Sequence, residues 1–165
     1  STYCTGVCDC AGVCDGDAVE DECGICGGIC DTFCDECGVC GGDGICTKVY
    51  VTNLILENSS TGTIDIYMVN VVGIAAFQFE LTGLTIIGAS GGTAESASFS
   101  VSYSDSRAIG FSLIGANIPA GEGILTQLSF SNYSGDNICF NSSFENILSS
   151  IDGINIQDIV WGCLE

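Results

Sequence analysis

The chain has 165 residues, 2 Lys or Arg against 21 Asp or Glu, which gives a formal charge of −19 with no histidine. That balance excludes a nucleic-acid groove, and the lack of histidine removes the usual general base, the commonest zinc ligand and every Ser/His or Cys/His nucleophile pair. Thirteen cysteines, about 8% of the chain, indicate an oxidising, extracellular or cell-surface setting, since cytosolic thiols are kept reduced.

A hydrophobic content of 47% with one proline excludes a disordered or collagen-like chain, and the length allows one ordinary core plus an appendage. The start at Ser1, with neither a basic n-region nor an apolar h-region, reads as a processed form or an excised piece. The most apolar stretch, Val69 to Phe79, is interrupted by Asn70 and is too short for a spanning helix.

The composition changes at Cys46, so the expected division is a Cys/Gly/Asp-rich module over residues 1–46 and a β module over residues 47–165. The first piece holds eleven cysteines, ten glycines and ten carboxylates without a single Lys or Arg. It also contains an imperfect repeat, DECGICGG at 21–28 returning as DECGVCGG at 35–42, as expected of a tandem loop array. Only eleven non-cysteine apolar residues serve this stretch, whereas ordering it costs on the order of 70 kcal/mol at roughly 1.5 kcal/mol per residue. Covalent or metal cross-links must therefore replace a hydrophobic core, which predicts a disulfide-rich, loop-dominated module.

From Thr47 onward the pattern is β. A first strand begins at Lys48. Thr63 to Met68 places Ile64, Ile66 and Met68 on one side, and Ala75 to Leu81 does the same with Phe77 and Phe79. The clearest alternation runs from Ser96 to Ser106, with serines on one face and Ala97, Phe99, Val101 and Tyr103 on the other. Arg107 to Ile114 presents Ile109, Phe111 and Leu113, and Ile124 to Phe130 presents Leu128 and Phe130. Turn-forming clusters separate these runs at 58–62, 88–93, 115–123 and 131–137. A short helical turn is expected over Phe144 to Leu148. Many closely spaced strands without a sustained helical period predict an all-β fold, a jelly-roll sandwich of about 115 residues.

The runs GIAAFQFELTG at 73–83 and GFSLIGANIPAGEGILTQLSF at 110–130 resemble the cohesin-type β-sandwich of secreted multidomain proteins. The ending from Cys139 to Cys163 is similar to the close of cohesin-like domains in chains that also carry Asp/Cys/Gly arrays like DCAGVCDGDAVEDECGICGG. The resemblance implies a jelly-roll module that, in cohesins proper, binds calcium-loaded dockerins in cell-surface assemblies. It assigns no dockerin-contact motif residue by residue, so the implied fold transfers and the implied partner does not.

Three residue sets could carry chemistry. Among the cysteines, Cys23-x2-Cys26 and Cys37-x2-Cys40 have a spacing that a four-cysteine zinc site can use, but the acidic surroundings without Lys, Arg or His favour disulfides. The array cysteines are Cys4, Cys8, Cys10, Cys14, Cys23, Cys26, Cys30, Cys34, Cys37, Cys40 and Cys46. Pairing Cys139 with Cys163, the two in the β module, would contribute about 3.5 kcal/mol by loop entropy. Eleven cysteines then remain, an odd number, with Cys4 and Cys46 at the edges as the candidates for the odd thiol.

Among the carboxylates, Asp15, Asp17, Asp21, Glu22, Asp31, Asp35 and Asp43 sit in glycine-containing loops. Hard oxygen ligands on tight loops suit calcium, which would also relieve repulsion. The pattern departs from an EF-hand, because Val19 stands where a ligand should follow Asp17 and no bidentate acid closes a twelve-residue span. The plain alternative is a solvated acidic surface. Among the asparagines, Asn58, Asn132 and Asn141 head N-x-S sequons in or near turns, where an extracellular protein can carry glycans.

No catalytic residue is assigned and the chain is expected not to be an enzyme. The one catalytic option is a carboxylate pair such as Glu80 and Glu122, with exposed strand and turn acids as the simpler explanation. Trp161, the sole tryptophan, offers a thin sugar-stacking platform and is accounted for by packing beside Cys163.

The leading functional reading is a structural subunit of an extracellular filament, matrix or surface layer that self-associates into a homopolymer. It rests on the odd cysteine count, on edges guarded only by Lys48, Arg107 and Pro119, and on a leading third without a core. The alternative is a cell-surface recognition module for a dockerin-like or carbohydrate partner.

Overall fold

Alternation along each strand decides which side chains go inside, because successive Cβ atoms point to opposite faces. The computed structural model describes residues 46–156 and 159–164. Its strands are β1 (Lys48–Leu56), β2 (Gly62–Asn70), β3 (Ile74–Thr82), β4 (Thr85–Ser90), β5 (Ser100–Tyr103), β6 (Arg107–Phe111), β7 (Gly121–Ser131), β8 (Cys139–Phe140), β9 (Ile147–Ser150) and β10 (Val160–Gly162), with a one-turn helix α1 (Gly92–Ser96) after β4. One sheet has the order β10-β1-β2-β7-β4. The other has β5-β6-β3-β8, with β9 also pairing to β3. The expected all-β sandwich is the architecture found.

Ile64, Ile66 and Met68 of β2 and Leu128 and Phe130 of β7 are buried from the first sheet, against Phe77, Phe79 and Leu81 of β3 and Leu148 of β9 from the second. Phe79 stacks on Phe77 at 5.8 Å between centroids and meets the edge of Phe140 at 5.5 Å. Each fully buried Phe or Leu contributes about 1.5–3 kcal/mol, so this interior is the main driving force for the sandwich. Gly110 on β6 leaves the space for the Phe77 ring, which a Cβ at that position would overlap.

Three sequence expectations need correction. The run 96–106 is not one strand: Gly92–Ser96 is helical and only Ser100–Tyr103 is extended. Gly91 and Gly92 both have positive φ and Gly92 lies against the Leu125 carbonyl, so the chain turns sharply off β4 there. The helical turn then buries Ala94 completely, and that packing overrides the period of two. Leu113 and Ile114 do not extend β6 but lie in the loop after it, 79% and 78% exposed. The expected helical turn over 144–148 is instead a loop leading into β9, whose Leu148 points into the core.

Cys139 and Cys163 are joined by a disulfide, with Cα atoms 4.2 Å apart. Cys46 is also disulfide-bonded. The other ten array cysteines lie outside the described residues, as do Asp15, Asp17, Asp21, Glu22, Asp31, Asp35 and Asp43.

Candidate functional site

The outer face of the second sheet brings four strands into register. Ser100 lies opposite Phe111, Phe111 opposite Ala76, and Ala76 opposite Ser149. The next row runs Ser102, Ile109, Gln78 and Ile147. Side chains directly opposite on neighbouring strands are about 5 Å apart at Cβ and act together. The result is an apolar strip of Phe111, Ile109 and Ile147, interleaved with Ser and Gln. Phe111 is 40% exposed, a large aromatic open to solvent at the middle of a polar rim.

One end of this face is held by a network around Glu80, which pairs across the strands with Arg107. Arg107 Nη2 donates to Glu80 Oε2 at 3.2 Å, and its guanidinium lies 4.2 Å above the centre of the Phe144 ring. Asn141 Nδ2 donates to Glu80 Oε1 at 2.6 Å. The Glu80 backbone is clamped as well, its N–H donating to Asn146 Oδ1 at 2.9 Å and its carbonyl accepting from the Asn141 N–H at 2.7 Å. The Asn141 amide, followed by the Arg107 guanidinium, holds the Glu80 carboxyl below its ordinary value of 4.5, because both donors favour the charged form. Beside Arg107 a depression of about 260 Å³ is lined by Ser102, Tyr103, Ser104, Arg107 and Ile109.

Electrostatically this face is unusual for a chain of charge −19. The carboxylate at its end, Glu80, is paired with the only arginine, so the rows of Ser, Gln and apolar side chains carry no net charge. A neutral window on a strongly anionic molecule is where another protein can approach with the least repulsion and the least charge to desolvate.

The sequence-derived candidates distribute otherwise. Glu80 and Glu122 belong to β3 and β7, in different sheets, so they do not form a catalytic pair. Asn58 is exposed at the β1–β2 turn, where its Oδ1 accepts from the Ser60 and Thr61 N–H groups, each at 3.0 Å. Asn132 is exposed with φ 54 and donates to Thr85 Oγ1 at 3.3 Å. Asn141 differs, since its amide is committed to Glu80. Trp161 packs on Phe140 at 4.9 Å between centroids. Among the described residues no group of three or more acids or cysteines is placed to hold a metal, and no helix is long and apolar enough to cross a membrane.

Sequence reasoning missed the network as a unit. In the sequence Arg107 stands only as an edge guard and Asn141 only as a sequon, because their convergence on Glu80 depends on β3, β6 and the loop after β8 meeting in space. The uniqueness of the arginine was the only signal available in the sequence.

No protein-family model matches the chain, and no curated protein matches it. Solved structures do. A type I cohesin–dockerin complex from Clostridium thermocellum aligns with TM-score 0.51 at 16% identity, over 72% of this chain and 97% of that one. The sixth cohesin of Acetivibrio cellulolyticus scaffoldin B, in complex with a dockerin, gives 0.52 at 14% identity, over 72% and 97%. A non-cellulosomal cohesin from the archaeon Archaeoglobus fulgidus gives 0.51 at 12% identity, over 72% and 88%. The sandwich of this chain therefore has the cohesin fold.

Proposed function

We infer that this chain is an extracellular or cell-surface recognition module whose outer β5-β6-β3-β9 face binds a dockerin-like protein. The observation that carries this reading is the uncharged set of Phe111 and Ile109 on β6 and Ile147 on β9, lying in two neighbouring rows with Ser100, Ser102, Ala76 and Gln78 and edged by the Arg107–Glu80 pair. Two of the similar structures are cohesins in complex with dockerins, which supports a protein partner of that type. An apolar centre with a polar rim is also the anatomy of a protein interface. The filament reading has less behind it, since the cysteine array that would do the assembling lies outside the described residues and no described feature favours self-association.

Calorimetric titration of the chain with a panel of calcium-loaded dockerins tests the proposal. A one-to-one complex is expected with at least one member, weakened about 30-fold or more by Ile109→Asp, as for a central hot-spot residue. Ile87→Asp, at an exposed position on β4 of the opposite sheet, should leave affinity unchanged. Failure of every dockerin to bind, or equal loss in both variants, defeats the assignment. Light scattering decides between the two readings, a monodisperse monomer being expected here and a growing polymer under the filament reading.

A further inference from the structure

The three N-x-S sequons sit in different surroundings. Asn58, in the turn between β1 and β2, is exposed together with Ser59. Its Oδ1 accepts from the Ser60 and Thr61 N–H groups at 3.0 Å each and from Ser60 Oγ at 3.4 Å. These bonds hold the side-chain carbonyl and bring the hydroxyl of the third sequon residue onto the asparagine amide. Nδ2 is left without a hydrogen-bond partner among the described residues.

Asn132 follows the last residue of β7. Phe130 before it is buried, and Tyr133 after it packs on the core with its ring edge-on to Phe130 at 5.8 Å. Asn132 itself has φ 54, a left-handed bend that asparagine tolerates better than most residues, and it is exposed. One Nδ2 proton goes to Thr85 Oγ1 at 3.3 Å in an exposed bond, which leaves the second. Tyr133 N–H donates to the Ser60 carbonyl at 3.1 Å, so the two sequon loops adjoin at one end of the sandwich. Asn141 is the opposite case. It is half-buried, its Nδ2 donates to Glu80 Oε1 at 2.6 Å and its Oδ1 accepts from the Ser143 N–H at 3.0 Å.

We propose that Asn58 and Asn132 carry N-linked oligosaccharides and that Asn141 does not. The modification joins Nδ2 to C1 of a glycan supplied as a polyisoprenyl pyrophosphate. The C1–N bond forms, the C1–O bond breaks with its electron pair leaving on the pyrophosphate, and one amide proton passes to a base of the transferase. An amide nitrogen open to solvent is required, with a Ser or Thr hydroxyl two residues on. Asn58 and Asn132 offer both, and at Asn132 the remaining proton can stay on Thr85. Asn141 would have to give up a charge-assisted bond, and a sugar on its Nδ2 would crowd the Glu80 carboxylate. At Asn58 the sugar would also shield Ile55 and Leu56, exposed apolar residues at the end of β1. Only the extracellular setting is shared with the recognition reading, and no protein partner is required.

Glycopeptides of the whole chain, isolated from its natural source, are sequenced by electron-transfer fragmentation, which keeps each sugar on its asparagine. Chymotrypsin separates the sites, since Tyr133 and Phe140 lie between Asn132 and Asn141. Sugar is expected on Asn58 and Asn132 and none on Asn141. Expressed in the same source, Ser60→Ala should lose the sugar of Asn58 alone and Ser134→Ala that of Asn132 alone, which distinguishes sequon-directed transfer from sugar attached without an enzyme or through serine. The proposal is overturned by an unmodified Asn58 or Asn132, by sugar on Asn141, or by sugar that persists at either asparagine once its serine is replaced. None of these results bears on dockerin binding.

Discussion

At Glu80 a single side chain joins three loops and strands, and its protonation state is part of the arrangement. Its folded-state pKa is lowered by Asn141 and Arg107. The stabilisation is therefore fully present above the unfolded value near 4.5 and is lost as the pH falls through the lowered folded value. Thermal melts across this acid range should show Glu80→Gln less stable than the parent at neutral pH, with the gap closing as the pH falls below 4.5. A gap that stays constant with pH would mean the carboxylate charge has no part in it. Gly110 is a residue-scale constraint of a different kind. Because its Cβ position is filled by the Phe77 ring, Gly110→Ala should cost about 1–3 kcal/mol in urea unfolding, as overpacking does. Sequence alone marked Phe77 as inward-facing but gave no reason for the glycine opposite it.

The elements differ in how far their own residues specify them. β2, β3 and β7 alternate cleanly, and their inward residues Ile64, Ile66, Phe77, Phe79, Leu128 and Phe130 are buried as the period of two requires. The stretch from Ser96 to Ser106 alternates even more regularly, yet only Ser100–Tyr103 of it is strand. Its serines satisfy no core, and the positive-φ glycines before it commit the chain to a turn. β8 and β10, at two and three residues, are too short to leave a pattern, and β10 exists through parallel pairing with β1. The Cys139–Cys163 bond secures these weak elements, joining β8 to the residue directly after β10. Replacing both cysteines by alanine should lower stability by about 3.5 kcal/mol in the loop-entropy estimate, measured by guanidinium denaturation, with the Phe140–Trp161 contact loosening first. A loss well below 1 kcal/mol would show that hydrogen bonds such as Leu164 N–H to the Ile138 carbonyl at 2.9 Å hold this region unaided.

For the whole molecule, two stabilising principles are expected to meet near Thr47. The sandwich is held by a buried interior, whereas the cysteine array, with too few apolar residues for a core, should depend on its cross-links. Treatment with a thiol reductant should therefore open residues 1–45 to proteases, mapped by mass spectrometry, while the buried strands β2, β3 and β7 stay resistant. Retained protease resistance, or zinc bound stoichiometrically to the array, would contradict the disulfide account. Metal analysis of the untreated protein addresses calcium at Asp15, Asp17, Asp21, Glu22, Asp31, Asp35 and Asp43 in the same experiment.

Composition and alternation by themselves determined that the chain from Thr47 onward is a β-sandwich and that most cysteines precede it in sequence, because burial of every second residue is a local rule that the order of side chains already expresses. Where the proposed recognition face lies was decided only by tertiary structure. Phe111, Ile109 and Ile147 come from two strands far apart in the chain, and Arg107, Glu80 and Asn141 from three segments that meet only when the sheet closes. Charge neutralisation and a shared apolar surface are properties of distances between such residues, and those distances are set by strand register and not by sequence separation.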